Sequence, residues 1–194
     1  MLRKVTEYRK DYSKRMRKVF RLFLVAAFIA AAFFVTHYLL LPLVYRVKEP
    51  YFEMPTRPEI TALSRDKLPV RNDAYGDGWF GAKRKNGRTH KGLDLAAELQ
   101  SPVYASKSGW AKTYCYPKGY GNLVVINHPG GWQTRYGHLD KIEIKKFQWI
   151  RQGDIIGTVG KTGNANARGI MPHLHFEIRH KGEAVDPEEY LLQR

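Results

Sequence analysis

An uninterrupted apolar segment constrains this chain more than any other feature. Residues 22–45 contain no Lys, Arg, Asp or Glu, and most of them are Leu, Phe, Val or Ala. A helix of 24 residues rises about 1.5 Å per residue, so it would be roughly 36 Å long. This length crosses a hydrocarbon layer of about 30 Å with some tilt. The segment therefore predicts a transmembrane helix over residues 22–45.

Three other structures compete for this segment. A buried core helix is rarely this long and this free of charge. A signal peptide needs a shorter apolar region and a small-residue cleavage site, whereas bulky residues end this one, so we expect no cleavage. A helix lying on the membrane surface needs a polar face, and only Thr36 and His37 interrupt the apolar run. We interpret His37 as a polar residue accommodated within the span.

The layout of the charges predicts the orientation of this helix. The chain carries a formal net charge of +15, and residues 1–21 hold nine basic residues against only Glu7 and Asp11. Basic residues are enriched on the cytoplasmic side of a membrane helix. We therefore predict that 1–21 is a basic cytoplasmic segment and that the rest of the chain lies outside, in the periplasm or the extracellular space.

Residues 46–69 follow the span without a sustained helical or strand period. Pro50, Pro55, Pro58 and Pro69 punctuate the segment, and proline favours extended backbone. We predict a linker over 46–69. It would let the following domain stand tens of ångströms from the membrane, or it would fold back over an active site.

Residues 70–194 have the texture of a mainly β domain. Short apolar runs alternate with Gly- and Pro-rich turns, and a helical period is seen only near the end, where Asp186 caps a predicted helix over 186–192. We expect a compact antiparallel sheet or sandwich. The predicted strands are 101–116, 121–128, 132–139, 141–150, 153–160 and 173–180.

The presence of a single cysteine excludes several classes of protein. One thiol, Cys115, cannot form an intrachain disulfide or a cysteine-based structural zinc site. No partner motif flanks it, so we expect a buried small apolar residue rather than a nucleophile.

Histidines carry the chemical signal of the domain. His90 and Asp94 are four residues apart with Gly92 between them, so on a strand they would share a face. Gly92 adds no side chain, which leaves room for a metal or a substrate to approach. In the segment 172–179, alternation places His173 and His175 on the polar face of a strand, together with Glu177, and leaves an apolar face for the core.

Each of these patterns alone has an ordinary explanation. An exposed histidine is usually solvated, and a histidine and an aspartate four residues apart occur by chance. Their combination in one small β domain, with His138 as a further candidate, indicates a metal centre. Two imidazoles and one carboxylate with an open fourth position are typical of catalytic rather than structural zinc.

The motifs resemble the lysostaphin/LytM-type zinc endopeptidases, the duplicated-hybrid-motif hydrolases of bacterial cell walls. The resemblance covers about residues 70–190 and rests on segments in family order: FGAKRKNGRTHKGLDLAA, SPVYASKSGW, GYGNLVVINH, QTRYGHL, GDIIGTVGKTGN and PHLHFEIR. It implies a compact antiparallel β structure with the site in a groove. The implied activity is hydrolysis of stem or cross-link peptides of peptidoglycan.

The resemblance also implies roles for individual residues. His90, Asp94 and His175 would bind one zinc ion, and His138 and His173 would be the catalytic pair. Either of the pair is a candidate for the general base. Two residues are weaker candidates for binding substrate: Gly92, and Tyr136, which shares a strand face with His138 if that segment is extended.

Other functions remain as alternatives. Some relatives have lost zinc ligands and instead bind and activate other wall hydrolases, but all five positions are filled here. A basic DNA- or lipid-binding protein would have no use for the histidine clusters, so we expect no nucleic-acid partner. A regulatory protein partner is plausible, since an unregulated wall hydrolase is hazardous. The loop 164–171 is longer than in common members, and we expect it to reshape the rim of the groove.

Overall fold

The chain forms two compact units, and the N-terminal one is helical from Leu2 onward. The computed structural model describes residues 2–57, 68–84 and 87–191. Helix α1 (Leu2–Val35) passes through a π-helical turn (Thr36–Leu40) into α2 (Leu41–Lys48). Pro42 lacks the N–H that an α-helix needs, and its ring would collide with the carbonyl four residues earlier. The wider turn accommodates it, and the Leu41 N–H donates to the Thr36 carbonyl five residues back.

This helix contains a stretch that is long and apolar enough to cross a membrane. The candidate span is Tyr12–Lys48, with a mean hydropathy of 2.4 in its most apolar window and no part of that window buried. The helical structure extends beyond the predicted span of 22–45 in both directions, since the basic segment before it is also helical.

The second unit, residues 47–194, is a mainly β domain, as predicted. A separate hairpin contains β1 (Asn72–Asp73) and β2 (Gly76–Asp77). The other strands are β3 (Leu93–Ala96), β4 (Pro102–Tyr104), β5 (Gly109–Cys115), β6 (Asn122–Asn127), β7 (Trp132–Ile142), β8 (Trp149–Ile150), β9 (Ile155–Val159), β10 (His173–His180) and β11 (Glu183–Val185). The main sheet is antiparallel and has the order β11-β10-β7-β6-β5-β8; β3 joins it on β10, and β9 pairs with both β7 and β4.

Most predicted strands and the predicted helix are present. Helix α3 (Pro187–Leu191) begins where expected, with the Asp186 carboxylate accepting the Glu188 N–H at 3.0 Å. Two predicted strands are each wrong as one element. The predicted strand 101–116 is divided into β4 and β5, and the ends of the predicted strand 141–150 belong to β7 and β8. Cys115 is also not buried as we predicted: it is exposed at the end of β5.

The core lies on one face of β10. Leu174, Phe176 and Ile178 have no exposed surface, and they pack in a cluster with apolar residues of β3, β6, β7 and β9. The alternation read from the sequence is therefore present in the structure, and it turns His173 and His175 to the opposite face.

The predicted linker is replaced in part by a segment that packs on the domain. Residues 49–57, here called the strap, place Phe52 in the core with 4% of its surface exposed. The Glu49 carboxylate accepts the N–H and the hydroxyl of Ser108 at 2.8 and 2.5 Å. These contacts hold the start of the segment against the sheet, so it is not a free extended spacer from 46 onward. Residues 58–67 of the predicted linker lie outside the described residues.

His128 belongs to this packed end of the domain and not to the metal centre. One ring nitrogen contacts the Ser108 carbonyl at 2.9 Å and the other the Thr134 hydroxyl at 2.8 Å. Burial lowers the pKa of His128 to about 4, so it is neutral at physiological pH.

Candidate metal centre

Three side chains converge on one point at the polar face of the sheet. The Nε2 atom of His90 lies 3.0 Å from Nδ1 of His175 and 3.0 Å from Oδ1 of Asp94. The same Asp94 oxygen lies 2.8 Å from Nδ1 of His175. All three residues are buried. These are the three residues that the family resemblance assigned to the metal.

The sheet register brings them together. Strands β3 and β10 are antiparallel neighbours, and Asp94 lies directly opposite His175. His90 precedes β3, which begins at Leu93, so the expectation that His90 and Asp94 lie on one strand is wrong. A loop delivers the imidazole to the carboxylate instead.

Gly92 has a packing role that differs from the predicted one. A Cβ atom at this position would lie 2.3 Å from the Phe176 carbonyl oxygen and 3.0 Å from the Glu177 side chain. The residue is itself buried. Gly92 therefore lets the loop before β3 pass close to β10, and it offers no open space for a substrate.

The hydrogen bonds around the two imidazoles fix their tautomers. Nδ1 of His90 donates to the Trp79 carbonyl at 2.9 Å, and Nε2 of His175 donates to the Glu177 carboxylate at 3.2 Å. In the neutral rings this leaves lone pairs on the two nitrogens that face each other. Together with the Asp94 oxygen, three electron-pair donors then meet with no hydrogen between them.

Asp94 is held ionised by its neighbours. Its second oxygen, Oδ2, accepts from the guanidinium groups of Arg71 at 3.0 Å and Arg84 at 3.1 Å. Burial opposes the charge, but when the cluster holds a proton in place of a metal, the hydrogen bonds from His175 and His90 keep the pKa of Asp94 well below its usual range. The two arginines occupy Oδ2 and leave Oδ1 directed at the imidazoles.

These donors fit a small divalent cation. In a tetrahedral zinc site with bonds of about 2.0–2.1 Å, ligand atoms lie about 3.3–3.4 Å apart, a few tenths of an ångström more than the separations here. Without a metal, a proton has to relieve the repulsion among the lone pairs. Burial disfavours that charge, yet the hydrogen bonds to Asp94 and Glu177 raise the pKa of His175 to about 9.

The two predicted catalytic histidines lie beside this cluster. The ring of His138 is 5.0 Å from that of His173 and 5.8 Å from that of His175, between centroids. His138 donates through Nδ1 to the Thr162 carbonyl at 2.9 Å, and His173 donates in the same way to the Met171 carbonyl at 2.7 Å. Burial lowers the pKa of both rings, that of His138 to about 3. Each neutral ring therefore keeps Nε2 as a proton acceptor.

A break in strand β7 turns His138 toward the cluster. Its φ angle is +62°, and the pairing of β6 with β7 shifts register beside it. The His138 N–H donates to the Tyr120 carbonyl at 2.7 Å rather than to a neighbouring strand. Such a bulge reorients a side chain relative to the alternation of its strand.

The same break explains why the prediction for Tyr136 is wrong. Tyr136 points into the core with no exposed surface, and its hydroxyl accepts the Ser106 N–H at 2.8 Å. The bulge between the two residues ends the regular alternation, so Tyr136 and His138 do not share a face. Tyr136 is a core residue and does not reach a substrate.

Several residues of the site were missed from the sequence. Glu177 orients His175, and it in turn accepts from the Tyr120 hydroxyl at 2.6 Å and from Arg179 at 2.9 Å. Its place two residues after His175 on the same strand face was a usable signal. Arg71 and Arg84 gave none, because their contacts with Asp94 depend on how the loops before β3 fold.

The loop 164–171 is joined to the β1–β2 hairpin. The Tyr75 hydroxyl donates to the Arg168 carbonyl at 2.6 Å, and the Asp73 carboxylate accepts the Met171 N–H at 3.2 Å. Asp73 also pairs with Arg71 at 2.7 Å. The loop and the arginines that hold Asp94 therefore belong to one hydrogen-bonded layer.

We expect the Arg84→Gln variant to bind zinc 10- to 100-fold more weakly, because residues that orient a ligand typically contribute that much to metal affinity. Competition with a chromophoric chelator measures the affinity. Arg71→Gln should behave similarly, while Arg88→Gln, which changes an exposed arginine, is the matched control. Unchanged affinity in both Asp94-contacting variants would contradict this role.

Comparison with known proteins gives relatives named for cell division, for murein hydrolase activation and for peptidase activity. The chain is 37% identical over 142 residues to the cell division protein DipM of Caulobacter vibrioides, covering 69% of this chain and 22% of DipM. It is 36% identical over 108 residues to the murein hydrolase activator NlpD of Escherichia coli (54% of this chain, 27% of NlpD). It is 40% identical over 105 residues to the DD-carboxypeptidase/endopeptidase Mpg of Neisseria meningitidis (54% and 23%). The chain thus spans only about a quarter of the length of these relatives.

Solved structures show the same fold. A zinc-containing peptidase from Vibrio cholerae superposes with a TM-score of 0.56 and 32% identity, covering 72% of this chain and 40% of that one. The catalytic domain of lysostaphin from Staphylococcus simulans gives a TM-score of 0.52 and 29% identity, covering 63% and 92%.

The sequence model of peptidase family M23 matches residues 88–187. This stretch is just over half of the 194 residues and runs from the loop that carries His90 to the start of α3. It includes all three converging donors and both neighbouring histidines. The chain therefore belongs to peptidase family M23.

Proposed function

We propose that this protein is a zinc-dependent endopeptidase that hydrolyses peptide bonds of peptidoglycan outside the cytoplasmic membrane. The observation that supports it most is the convergence of His90, Asp94 and His175, with the neutral pair His138 and His173 beside them. A catalytic centre of this kind needs both the three donors and a group that moves a proton.

When bound by these three residues, zinc supplies a nucleophilic water at neutral pH and polarises a carbonyl. The protein's own groups do the rest. His173 or His138 accepts the proton of the nucleophile at Nε2, and the imidazolium formed in this way then gives that proton to the leaving amine. The backbone carbonyls of Met171 and Thr162 hold the two rings in the required tautomer.

A second function is that of a non-hydrolytic activator of other wall hydrolases. The observation that favours it is the similarity to the Escherichia coli protein named as a murein hydrolase activator. The intact set of five side chains favours the enzyme, since an activator does not need them.

The test uses the full chain in detergent micelles with purified peptidoglycan. We expect new amine ends, identified by mass spectrometry of the fragments, in zinc-loaded protein; a chelator should abolish them and added zinc should restore them. No new amine ends under zinc-replete conditions would refute the hydrolase. Acceleration of a separate wall hydrolase by that inactive protein would then support the activator.

We also propose that residues 22–45 cross the cytoplasmic membrane once, with residues 1–21 in the cytoplasm. The apolar helix and the nine basic residues before it support this orientation. Cell-wall peptides and any regulatory protein partner would then meet the domain on the outer side.

Cys115 provides a direct test of this orientation, because it is the only cysteine of the chain and is exposed. We expect a membrane-impermeant maleimide to label it in intact cells whose outer layers admit the reagent. A Cys115→Ser variant is the control for unspecific labelling. Labelling that requires lysis of the cytoplasmic membrane would contradict the proposed topology.

A further inference from the structure

A groove of about 470 Å³ lies on the same face of the sheet as the metal residues. Its walls combine three cations with three tyrosine rings. The residues that characterise it are Lys112, Lys118, Arg135, Tyr114, Tyr116 and Tyr120. We call it the cationic groove.

The groove begins at residues that orient the metal ligands. The Tyr120 ring lies 5.4 Å from that of His175, between centroids, and its hydroxyl donates to Glu177. Arg135 is paired in register with Glu177 on one side and with Val125 on the other. A ligand in the groove is therefore next to the metal centre and not at a separate site.

The groove follows one row of paired side chains across neighbouring strands of the sheet. Lys112 on β5 is paired with Val125 on β6, which continues the row from Glu177 and Arg135. Residues directly opposite each other point to the same face. With strands about 4.8 Å apart, the three steps from Glu177 to Lys112 span about 14 Å, the length of roughly four residues of extended peptide.

Within the described part of the chain, the charge of the groove is partly compensated at Arg135, whose guanidinium lies 3.9 Å from the Glu177 carboxylate. No aspartate or glutamate lines the groove itself. Glu177 is fully buried and also accepts from Tyr120, Arg179 and His175. Lys112 and Lys118 are thus left to attract an anion, while the tyrosine rings offer apolar surface to a backbone between the charges.

We infer that the cationic groove binds an acidic peptide, whose free carboxylates beside the scissile bond pair with Lys112 and Lys118. This inference rests on the proposed function and names the class of substrate that the site selects. It predicts that the enzyme discriminates by substrate charge and not only by the bond that it cuts.

The test compares two forms of one substrate: purified cross-linked muropeptides, and the same muropeptides with their carboxylates converted to amides. We expect the full chain to show a kcat/KM about tenfold lower for the amidated form, since charge-assisted pairs at partly exposed sites contribute a few-fold each. Lys112→Gln should reduce this ratio to about threefold, and Lys112→Arg should retain it.

Lys112 is the informative position because its strand is three steps from β10 in the sheet, so its substitution leaves the metal ligands intact. Zinc content should be the same in all variants, whereas Arg135→Gln also disturbs the surroundings of Glu177. Lys141→Gln, an exposed lysine on β7 outside the groove, is the matched control and should keep the tenfold ratio.

The outcomes separate the two proposals. Equal cleavage of both substrates by the wild type, or an unchanged ratio in Lys112→Gln, would refute the proposal that the groove binds an acidic peptide. The proposal that the protein is a hydrolase would still hold. If no substrate is cleaved, the proposal of a hydrolase is refuted. Fluorescence anisotropy with labelled muropeptides then tests whether the groove prefers the acidic form. Tighter binding of the acidic form that weakens in Lys112→Gln would support it, and equal binding of the two forms would refute it.

Discussion

The Asp94→Asn and His175→Ala variants should retain no zinc and should lose peptidoglycan hydrolysis by at least about a thousandfold, the scale on which metal activation of water operates. His175→Ala removes one of three donors that lie within 3.0 Å of one another, and Asp94→Asn replaces the anionic oxygen by a neutral, weaker one. Two remaining ligands do not hold zinc against a chelator or prolonged dialysis. His90→Ala should behave in the same way.

Asparagine is the sharper substitution at Asp94 because it keeps the shape and removes the charge. Arg71 and Arg84 both direct their guanidinium groups at this carboxylate, so the variant leaves two partly or fully buried cations with a weaker partner. Removing one partner of a buried ion pair commonly destabilises a protein by about 3–5 kcal/mol. The melting temperature should therefore fall more in Asp94→Asn than in His90→Ala.

The measurement is metal content by mass spectrometry together with fragment analysis of digested peptidoglycan. His180→Ala is the matched control: it changes a histidine on the same strand, β10, whose ring stacks on Trp132 away from the donors. Stoichiometric zinc in Asp94→Asn after exhaustive dialysis would show that the cluster is not the metal site.

How far the sequence predicts this site depends on the range of the contacts. The alternation along β10 is local, so the core face of Leu174, Phe176 and Ile178 and the polar face of His173 and His175 follow from the sequence alone. The approach of His90 and Asp94 to His175 depends on the pairing of β3 with β10. The periodicity of the sequence does not predict this pairing, and only the family resemblance indicated that the three residues share a metal.

The failures have physical causes at particular residues. The positive φ of His138 breaks the alternation that placed Tyr136 beside it. The strap was predicted to be a linker because its prolines indicate extended backbone. The sequence gives no sign that Phe52 packs into the core. The two arginines at Asp94 act across loops, and no spacing in the sequence signals them.

Substitution of the two histidines beside the donor cluster, His138 and His173, should give the second large effect on hydrolysis. We expect His173→Ala and His138→Ala to bind zinc with nearly normal affinity and to lose about 10²- to 10⁴-fold in hydrolysis, the usual contribution of a general acid or base. Their rings lie beside the cluster, and each is held by a backbone carbonyl rather than by one of the three donors.

The double variant tests whether the pair acts as a unit. If both rings take part in the same proton transfer, losing either disables the step, so the double variant should be little slower than the worse single variant. Independent contributions would instead multiply. Kinetics with zinc content measured on the same samples distinguishes the two cases. Equal loss of zinc in His173→Ala, His138→Ala and the ligand variants would refute the division into ligands and proton-transfer groups, because it would mean that all five side chains build one metal site.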